Sequence, residues 1–592
     1  MAAKKTSRLR SREWFDIPGD PSTTALHIER YTNFGISSEE LRSGKPIIGI
    51  AQTGSDLVPC NRIHINLALR VREGIREAGG IALEFPVHPI QETGKRPTAA
   101  LDRNLQYLGL VEVLFGYPID GVVLTIGCDK TTPALLMAAS TVDIPSICLS
   151  SGPMMNGYWK GERAGSGTIV WKARKLLATG EIDEEEFIKI VVDATTSPGF
   201  CNTMGTATTM NSLAEGLGMS LPGCAAIPAP LSERIEMSYR TGLRIVEMVK
   251  KDLTPSKILT RKAFENSIVL NSAIGGSTNA PIHINAIARH VGVELEIEDW
   301  EKVGLEIPML VNMQPGGKYL GEDFHRAGGV PAVMNALLKA GKLHDSAITV
   351  NGKTVAENYA ETTTQDTDVI RTFQNPMLEN AGFIVLKGNI FDSAVMKTSV
   401  ISDSFRSQYL DKPGSKNVFE VRAIVFEGPE DYRKRINDPQ LNINVDCILV
   451  IRGCGPVGYP GSAEVVNMQP PDKLIREGIL ELPTLGDGRQ SGTSGSPSIL
   501  NASPESAVGG GLALLKTGDM LRIDLNQGSL DVMLDKSELQ KRHDELKTEE
   551  IENQTPWQEI YRNTVGQLSS GGIIELAAKY RKIRNTIPRH SH

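Results

Sequence analysis

The sequence predicts an α/β protein in two parts, an N-terminal domain built on a parallel sheet and a C-terminal domain built mainly from strands. Up to about residue 380, short apolar segments alternate with polar loops and helix-like segments. This order is typical of a parallel sheet with helices on both faces. After residue 380, strand-like segments follow one another between Gly/Pro turns, which favours a barrel or a sandwich. We therefore expect domains at residues 1–380 and 381–592.

The strands of the first domain are predicted from short apolar runs that end in polar loops or glycines. They lie at residues 46–51, 81–87, 121–126 and 146–150. An apolar periodicity predicts a helix over residues 63–78, and Gly79 follows it as a stop signal. A second helix is predicted over residues 134–141. Pro133 indicates its first turn, where a missing N–H is harmless.

The second domain is predicted from strand-like segments separated by turns. They lie at residues 383–387, 419–426, 446–452 and 520–534. The last segment alternates apolar and polar residues and contains Gln527-Gly528, which predicts a hairpin. A helical tail is predicted over residues 571–584.

The composition excludes several classes of protein. Forty per cent of the 592 residues are hydrophobic, which is too many for a disordered chain. The net charge of −7 argues against a nucleic-acid-binding protein. The N-terminus is basic but has no apolar segment typical of a secretion signal, and no run of residues is long and apolar enough to span a bilayer. We therefore expect a cytoplasmic protein whose seven cysteines are free thiols or metal ligands.

Two matches to nucleotide-binding motifs are rejected. The segment from Gly453 to Gly458 has the letters of G-x-G-x-x-G, but Pro456 and Pro460 prevent the helix that would bind a pyrophosphate. The segment 127–131 ends like a P-loop but lacks the glycine-rich arch before it. Neither segment predicts a nucleotide site.

Three cysteines lie in polar loops, at Cys60, Cys128 and Cys201, and two of these loops directly follow predicted strands. Ligand-binding residues of open α/β sheets lie at the carboxyl ends of strands. The three cysteines are too far apart in sequence for a compact zinc or ferredoxin pattern. The other cysteines are expected in the core at Cys148, Cys224 and Cys447, and in a loop at Cys454, which is the one competing ligand.

Several polar residues accompany these cysteines. Asp129 is an oxygen donor suited to Mg²⁺ beside a thiolate suited to iron, and Lys130 follows it. The alternative is a capped helix N-terminus with a solvated lysine. Glu92 and Glu464 lie in other polar loops, where either could be an ordinary surface carboxylate. Residues 486–496 are rich in glycine and hydroxyl groups, which is typical either of a flexible loop or of a substrate cradle.

Motifs along nearly the whole chain resemble, in order, those of the dihydroxy-acid dehydratase / 6-phosphogluconate dehydratase family. They lie at residues 59–61, 127–133, 201–207, 275–279, 312–318 and 458–461. Residues 484–493 and 496–506 resemble its sugar-acid dehydratase branch most closely. The resemblance implies that the second domain is a β-barrel, that the site lies between the domains, and that the protein is a homo-oligomer, a dimer or a tetramer.

The resemblance also implies two cofactors. A [2Fe-2S] cluster would be held by Cys60, Cys128 and Cys201. A magnesium ion would be held by Glu92, Asp129, Glu464 and a carbamylated Lys130. A [4Fe-4S] dehydratase and a non-catalytic iron–sulfur redox protein are the alternatives for the same cysteines.

The reaction implied by the resemblance is loss of water from a 2,3-dihydroxy acid to give a 2-keto-3-deoxy acid. Ser491 matches the family's proposed base, and Thr493 would orient Ser491 or the substrate. A neutral serine is too weak a base, so this role requires strong local positive charge. D-Xylonate is the expected substrate, with L-arabinonate, D-gluconate and D-galactonate as alternatives. The polar tail that ends at His592 is expected on the surface, or folded over the site.

Overall fold

The first domain of the computed structural model, which describes residues 9–547, 551–585 and 589, contains a parallel four-stranded sheet. The strand order is β2–β1–β3–β4. The strands are β1 (Ile47–Gln52), β2 (Ile81–Pro86), β3 (Gly121–Ile126) and β4 (Ser146–Ser150). All four were predicted, and their bounds agree within one or two residues. Every residue of β1, β3 and β4 is buried, as expected for strands covered on both faces.

Helices cover this sheet, and a short hairpin of β5 (Tyr158–Trp159) and β6 (Glu162–Arg163) follows it. The helices are α1 (Arg12–Phe15), α2 (Pro21–Thr32), α3 (Ser38–Arg42), α4 (His64–Glu77), α5 (Ala99–Gly116), α6 (Thr131–Val142), α7 (Thr168–Thr179), α8 (Glu184–Asp193), α9 (Thr206–Gly216), α10 (Ser232–Lys250), α11 (Pro255–Ile258), α12 (Arg261–Ala273), α13 (Ala280–Val291), α14 (Glu298–Gly304), α15 (Gly321–Arg326), α16 (Gly329–Lys339) and α17 (Val355–Tyr359). Both predicted helices are present, as α4 and α6.

Glycines let helices α4 and α10 pack closely against each other. A Cβ atom on Gly74 would lie 2.2 Å from the carbonyl oxygen of Tyr239, and one on Gly242 would lie 2.2 Å from that of Val71. Any side chain at either position would force the two helices apart.

The second domain is a closed barrel of eight strands in the order β10–β11–β12–β8–β7–β14–β13–β9. Its strands are β7 (Phe383–Gly388), β8 (Phe391–Lys397), β9 (Val418–Glu427), β10 (Cys447–Arg452), β11 (Thr484–Gly486), β12 (Ser498–Ser503), β13 (Met520–Asp524) and β14 (Ser529–Val532). The predicted hairpin is confirmed, since β13 and β14 pair antiparallel. The closed sheet settles the choice between barrel and sandwich.

The helices around the barrel are α18 (Asp403–Phe405), α19 (Gly428–Arg435), α20 (Asp472–Arg476), α21 (Lys536–Glu545) and α22 (Pro556–Arg562). The single helix expected over residues 571–584 is wrong. This range contains two 3₁₀ helices, Glu575–Lys579 and Ile583–Asn585. Gly571 and Gly572 take positive φ, and Ile574 forms a β-bridge with Val565. The start of this range therefore has an irregular backbone instead of an α-helix.

Strands β7 and β10 of the barrel are apolar and buried at most positions because both of their faces are covered. In β7, Ile384 and Leu386 point into the barrel core, whereas Phe383 and Val385 belong to the core of the first domain. The two domains therefore share one continuous apolar contact. Among the described residues, no helix has the length and apolar character needed to cross a membrane.

Candidate active site

The candidate residues converge where the carboxyl ends of the sheet strands face one rim of the barrel. Cys60 lies in the loop after β1, Glu92 in the loop after β2, and Cys128 in the loop after β3. In the barrel, β10 and β11 run parallel, so the loops that follow them lie at the same rim. These loops carry Glu464 and Ser491.

The three loop cysteines are free thiols, and Cys60 influences the pKa of both others. The seven cysteines all lie in the described part of the chain, and none of them forms a disulfide. The Cys128 thiol donates a hydrogen bond to Cys60 and lowers the pKa of Cys60. The same contact and burial raise the pKa of Cys128. Burial and the neighbouring Cys60 raise the pKa of Cys201 to about 12.

Polar neighbours hold two of these cysteines in place. Gln91 Nε2 donates to Cys60 Sγ at 3.2 Å. The backbone N–H of Cys128 donates to Asn61 Oδ1 at 2.6 Å. A Cβ atom on Gly127 would lie 2.4 Å from that same Asn61 oxygen, so only glycine fits before Cys128. Packing and hydrogen bonding thus explain why Asn61 follows Cys60 and why Gly127 precedes Cys128.

Three carboxylates meet beside the cysteines. Oxygen atoms of Glu92, Asp129 and Glu464 all lie within 4.8 Å of one another, and this group could hold a metal ion. Lys130, whose side chain is fully buried, places Nζ 2.9 Å from Glu92 Oε2 and 2.8 Å from Asp129 Oδ2. The structure therefore brings together all four residues of the predicted metal site.

Arg489 completes this cluster and was not predicted. Its side chain is 1% exposed, with Nη2 3.2 Å from Glu92 Oε1 and Nη1 2.8 Å from Glu464 Oε1. Its Nε donates to the carbonyl oxygen of Ser462 at 2.9 Å. The guanidinium thus joins a carboxylate of the first domain to one of the barrel. The only sequence signal was its place in the glycine-rich segment 486–496.

Burial and mutual charge set different protonation states in the cluster. Burial and the charge of Glu92 raise the pKa of Glu464 to about 7, and the same two effects raise the pKa of Asp129. Burial also disfavours ionised Glu92, but the charges of Lys130 and Arg489 outweigh it and lower the pKa of Glu92 to about 2. Because the carboxylates are largely buried, they depend on cations for their charge balance.

Ser491 and Thr493 form a hydroxyl pair in the loop between β11 and β12. Their Oγ and Oγ1 atoms are 2.9 Å apart, and the backbone N–H of Thr493 donates to Ser491 Oγ at 3.3 Å. A Cβ atom on Gly492, between them, would lie 2.5 Å from the backbone nitrogen of Thr206. At Gly492 the loop therefore packs against the start of α9.

Two further residues contact this site and were not predicted as functional. Asn279 Nδ2 donates to Glu464 Oε1 at 2.8 Å and to the carbonyl oxygen of Gln490 at 3.2 Å. Trp171 Nε1 donates to Thr493 Oγ1 at 3.1 Å. Asn279 lies in one of the motifs that carried the resemblance, but its type alone indicated no role.

The remaining cysteines lie elsewhere. Cys148, Cys224 and Cys447 are buried in the core, as expected, and Cys454 is buried too. In the loop around Cys454, the N–H groups of Val457 and Gly458 donate to the Glu505 carboxylate. This explains why the rejected glycine motif has no free phosphate cradle. The tail to His592 lies outside the described residues.

The donor set fits the two cofactors implied by the sequence. Three adjacent thiols suit iron, and three carboxylates beside a buried lysine suit a hard divalent cation. The two groups are contiguous, since Cys128 Sγ lies 3.5 Å from Asp129 Oδ1.

Two family descriptions match almost the whole chain. Residues 45–358 match the N-terminal domain of dihydroxy-acid/6-phosphogluconate dehydratases, and residues 368–572 match the C-terminal domain. A D-xylonate dehydratase of Caulobacter vibrioides is 61% identical over 100% of this chain and 99% of its own. An L-arabinonate dehydratase of Rhizobium leguminosarum is 45% identical over 90% of each chain. A 6-deoxy-6-sulfo-D-gluconate dehydratase of Pseudomonas putida is 38% identical over 91% of each.

Proposed function

The chain belongs to the dihydroxy-acid/6-phosphogluconate dehydratase family and is a hydro-lyase, and we propose that it converts D-xylonate to 2-keto-3-deoxy-D-xylonate and water. The observation that carries the choice of substrate is the 61% identity to a D-xylonate dehydratase over the full length of both chains. The relatives that act on other sugar acids are less similar, at 45% and 38% identity.

We propose that Cys60, Cys128 and Cys201 hold a [2Fe-2S] cluster and that Glu92, Asp129, Glu464 and a carbamylated Lys130 hold Mg²⁺. The contiguous thiols and carboxylates support this assignment. The Lys130 ammonium lies between two of the carboxylates and would repel a metal ion, whereas its carbamate is an anionic oxygen ligand. When bound, the two groups would supply positive charge beside the substrate carboxylate and Lewis acidity towards its C3 hydroxyl.

The residues of the chain supply the proton transfer and the alignment. Ser491 Oγ takes the C2 proton, the C–H electrons form the C2=C3 bond, and the C3–O bond breaks. The departing hydroxide takes the proton that Ser491 removed from C2 and leaves as water, which returns Ser491 to its deprotonated form, and the enol then tautomerises to the ketone. Thr493 stabilises the deprotonated Ser491 by hydrogen bonds. Arg489 and Asn279 hold Glu464 in place from two sides.

The division between the domains and the assembly are also proposals. We propose the boundary at residue 380, which is supported by the start of the first barrel strand at Phe383. We further propose a cytoplasmic homo-oligomer, a dimer or a tetramer, as the family resemblance implies.

The substrate proposal is tested with a panel of sugar acids. Protein purified without oxygen and supplied with Mg²⁺ is incubated with D-xylonate, L-arabinonate, D-gluconate and D-galactonate, and the 2-keto-3-deoxy product is measured. We expect the highest kcat/KM for D-xylonate. A higher value for another aldonate would reassign the substrate, and no product from any of them would reject the proposed reaction.

The cluster proposal is tested with a matched pair of cysteine variants. Cys201→Ser removes a proposed ligand, whereas Cys454→Ser changes a buried thiol that contacts the carbonyl oxygen of Arg452. We expect the first variant to lose the visible absorbance and most of the iron and sulfide, and the second to keep them. Two irons per chain would support [2Fe-2S], four would support [4Fe-4S], and a full cluster in Cys201→Ser would exclude Cys201 as a ligand.

A further inference from the structure

The first turn of helix α7 packs directly against Thr493. Gly167, the residue before this helix, is so close that a Cβ atom on it would lie 2.6 Å from Thr493 Cγ2. Trp171 lies four residues later, on the same face of the helix. Its Nε1 donates to Thr493 Oγ1 at 3.1 Å. One side of α7 therefore packs against Thr493, although Trp171 and Thr493 are 322 positions apart in the sequence.

The indole N–H takes one of the two lone pairs of Thr493 Oγ1 and polarises this hydroxyl, which makes it a better donor to Ser491. An indole N–H can only donate, so Thr493 Oγ1 must accept from Trp171. Within the described residues, the other hydrogen-bond partner of Thr493 Oγ1 is Ser491 Oγ. The Thr493 hydroxyl proton is therefore satisfied by pointing at Ser491. Ser491 Oγ then accepts two hydrogen bonds, one from this hydroxyl and one from the Thr493 backbone N–H.

The same turn is also fixed to the loop of Cys201. The backbone N–H of Ser166 donates to Asn202 Oδ1 at 2.9 Å, and Ser166 Oγ lies 3.5 Å from Cys201 Sγ. On the other side, the guanidinium of Arg174 lies 4.8 Å from the centre of the Trp171 ring. These contacts join the segment before α7 to the Cys201 loop, and Arg174 covers one face of the indole ring.

We propose that Trp171 is a positioning residue that strengthens one of the two hydrogen bonds accepted by Ser491 Oγ and thereby favours its deprotonated form. Hydrogen bonds donated to an ionised oxygen lower the pKa of the group. The charge of Arg489, in the same loop, is balanced by Glu92 and Glu464, and Arg174 on α7 lies over the Trp171 ring, so the two hydrogen bonds carry the effect. The inference rests on the proposed role of Ser491 as the base.

The first test compares Trp171→Phe with Trp159→Phe. Trp159 lies in the same part of the chain, but its ring faces Lys160 and Lys172. Phenylalanine at 171 keeps an aromatic ring but removes the N–H, so the Thr493 hydroxyl is no longer polarised and becomes a weaker donor to Ser491. We expect kcat at neutral pH to fall about tenfold with little change in KM. Because activity requires the deprotonated base, the acidic limb of the pH profile should move up by about one unit.

Trp159→Phe should keep the wild-type profile, and both variants should keep the cluster absorbance. Thr493→Val provides a second comparison. In that background Trp171→Phe should have almost no further effect, since the group through which it acts is gone. An unchanged acidic limb in Trp171→Phe, or an independent loss in the double variant, would overturn the proposal.

A readout without substrate separates this inference from the proposed reaction. Phenylmethanesulfonyl fluoride labels an activated serine as the Oγ–S bond forms, fluoride leaves and the hydroxyl proton goes to solvent. Mass spectrometry would follow labelling of Ser491, with Ser491→Ala as the blank. We expect Trp171→Phe to react about ten times more slowly than the wild type and Trp159→Phe to react equally fast. Equal rates for Trp171→Phe, or no labelling of wild-type Ser491, would overturn the inference even if no sugar acid were dehydrated.

Discussion

Replacing Arg489 with glutamine tests what balances the charge of the carboxylate cluster. The change removes a buried cation whose Nη atoms lie 3.2 Å from Glu92 and 2.8 Å from Glu464. Glutamine keeps part of the hydrogen-bonding capacity but no charge. In the metal-free protein, both carboxylates would then be buried with Lys130 as their remaining cation in this cluster.

The structure allows the size of the effect to be worked out. Removing one partner of a buried ion pair costs about 3–5 kcal/mol. The lower end applies here because the side chains of Glu92 and Glu464 are 17% and 18% exposed. Unfolding entropy is about 2.1 cal/mol/K per residue, so in a chain of 592 residues a loss of about 3 kcal/mol lowers Tm by only about 2–3 °C. Thermal melting is therefore too insensitive to decide the question alone.

Magnesium binding is the sharper assay. In the variant, bound Mg²⁺ supplies positive charge in place of Arg489. It is also no longer repelled by the guanidinium. We expect isothermal titration to show about tenfold tighter Mg²⁺ binding to Arg489→Gln, a difference of about 1.4 kcal/mol. Saturating Mg²⁺ should accordingly restore the lost Tm. Bicarbonate must be equal in both samples, because carbamylation of Lys130 would change the same charge.

Equal or weaker Mg²⁺ binding by the variant would refute this reasoning. It would mean that Arg489 mainly arranges Glu92 and Glu464 for the metal rather than neutralising them. Arg522→Gln is the matched control, because the Arg522–Glu420 pair is exposed on both sides, at 51% and 44%. Surface pairs of this kind contribute at most about 1 kcal/mol, so neither Tm nor Mg²⁺ binding should change.

Two further predictions follow from packing and from pH. Gly492→Ala should lose most turnover and keep the cluster absorbance, because the added Cβ atom would lie 2.5 Å from the backbone nitrogen of Thr206. Gly495→Ala is the control and should retain activity, because an added Cβ atom there would have nothing within 4 Å. An equal loss of activity in both variants would refute the packing argument. Lys397 donates to the carbonyl oxygen of Gly275, and burial lowers its pKa from 10.5 to about 7. Between these values the unfolded chain binds more protons, so this residue's contribution to stability rises with pH. The difference in denaturation midpoint between wild type and Lys397→Met should therefore shift in favour of the wild type from pH 7 to pH 10, and a constant difference would exclude Lys397 as the cause.

The parallel sheet could be predicted because its strands are buried on both faces and therefore appear as unbroken apolar runs. Three barrel strands, β8, β11 and β12, were not predicted, and β11 has only three residues. Strand β8 carries Asp392 and Ser393 near its start, and β12 contains Asn501 at a positive φ. Both strands are recognised only through their partners in the closed barrel. The helix expected at residues 571–584 does not form, because Gly571 and Gly572 take positive φ and Ile574 forms a β-bridge with Val565.

The residues of the candidate site fall into two groups. The type of some residues suggests a role, whereas the role of the others depends on distant partners. A cysteine in a polar loop or an Asp beside a Lys is unusual enough for the sequence alone to suggest a ligand. Arg489, Asn279 and Trp171 are ordinary residue types, and their roles depend on partners 397, 185 and 322 positions away. No local pattern can encode such a pairing, because the barrel rim and the sheet edge meet only in the folded chain. Loss of activity after a single substitution at one of these residues therefore mixes packing with function, and a second readout or a variant at the partner is needed to separate them.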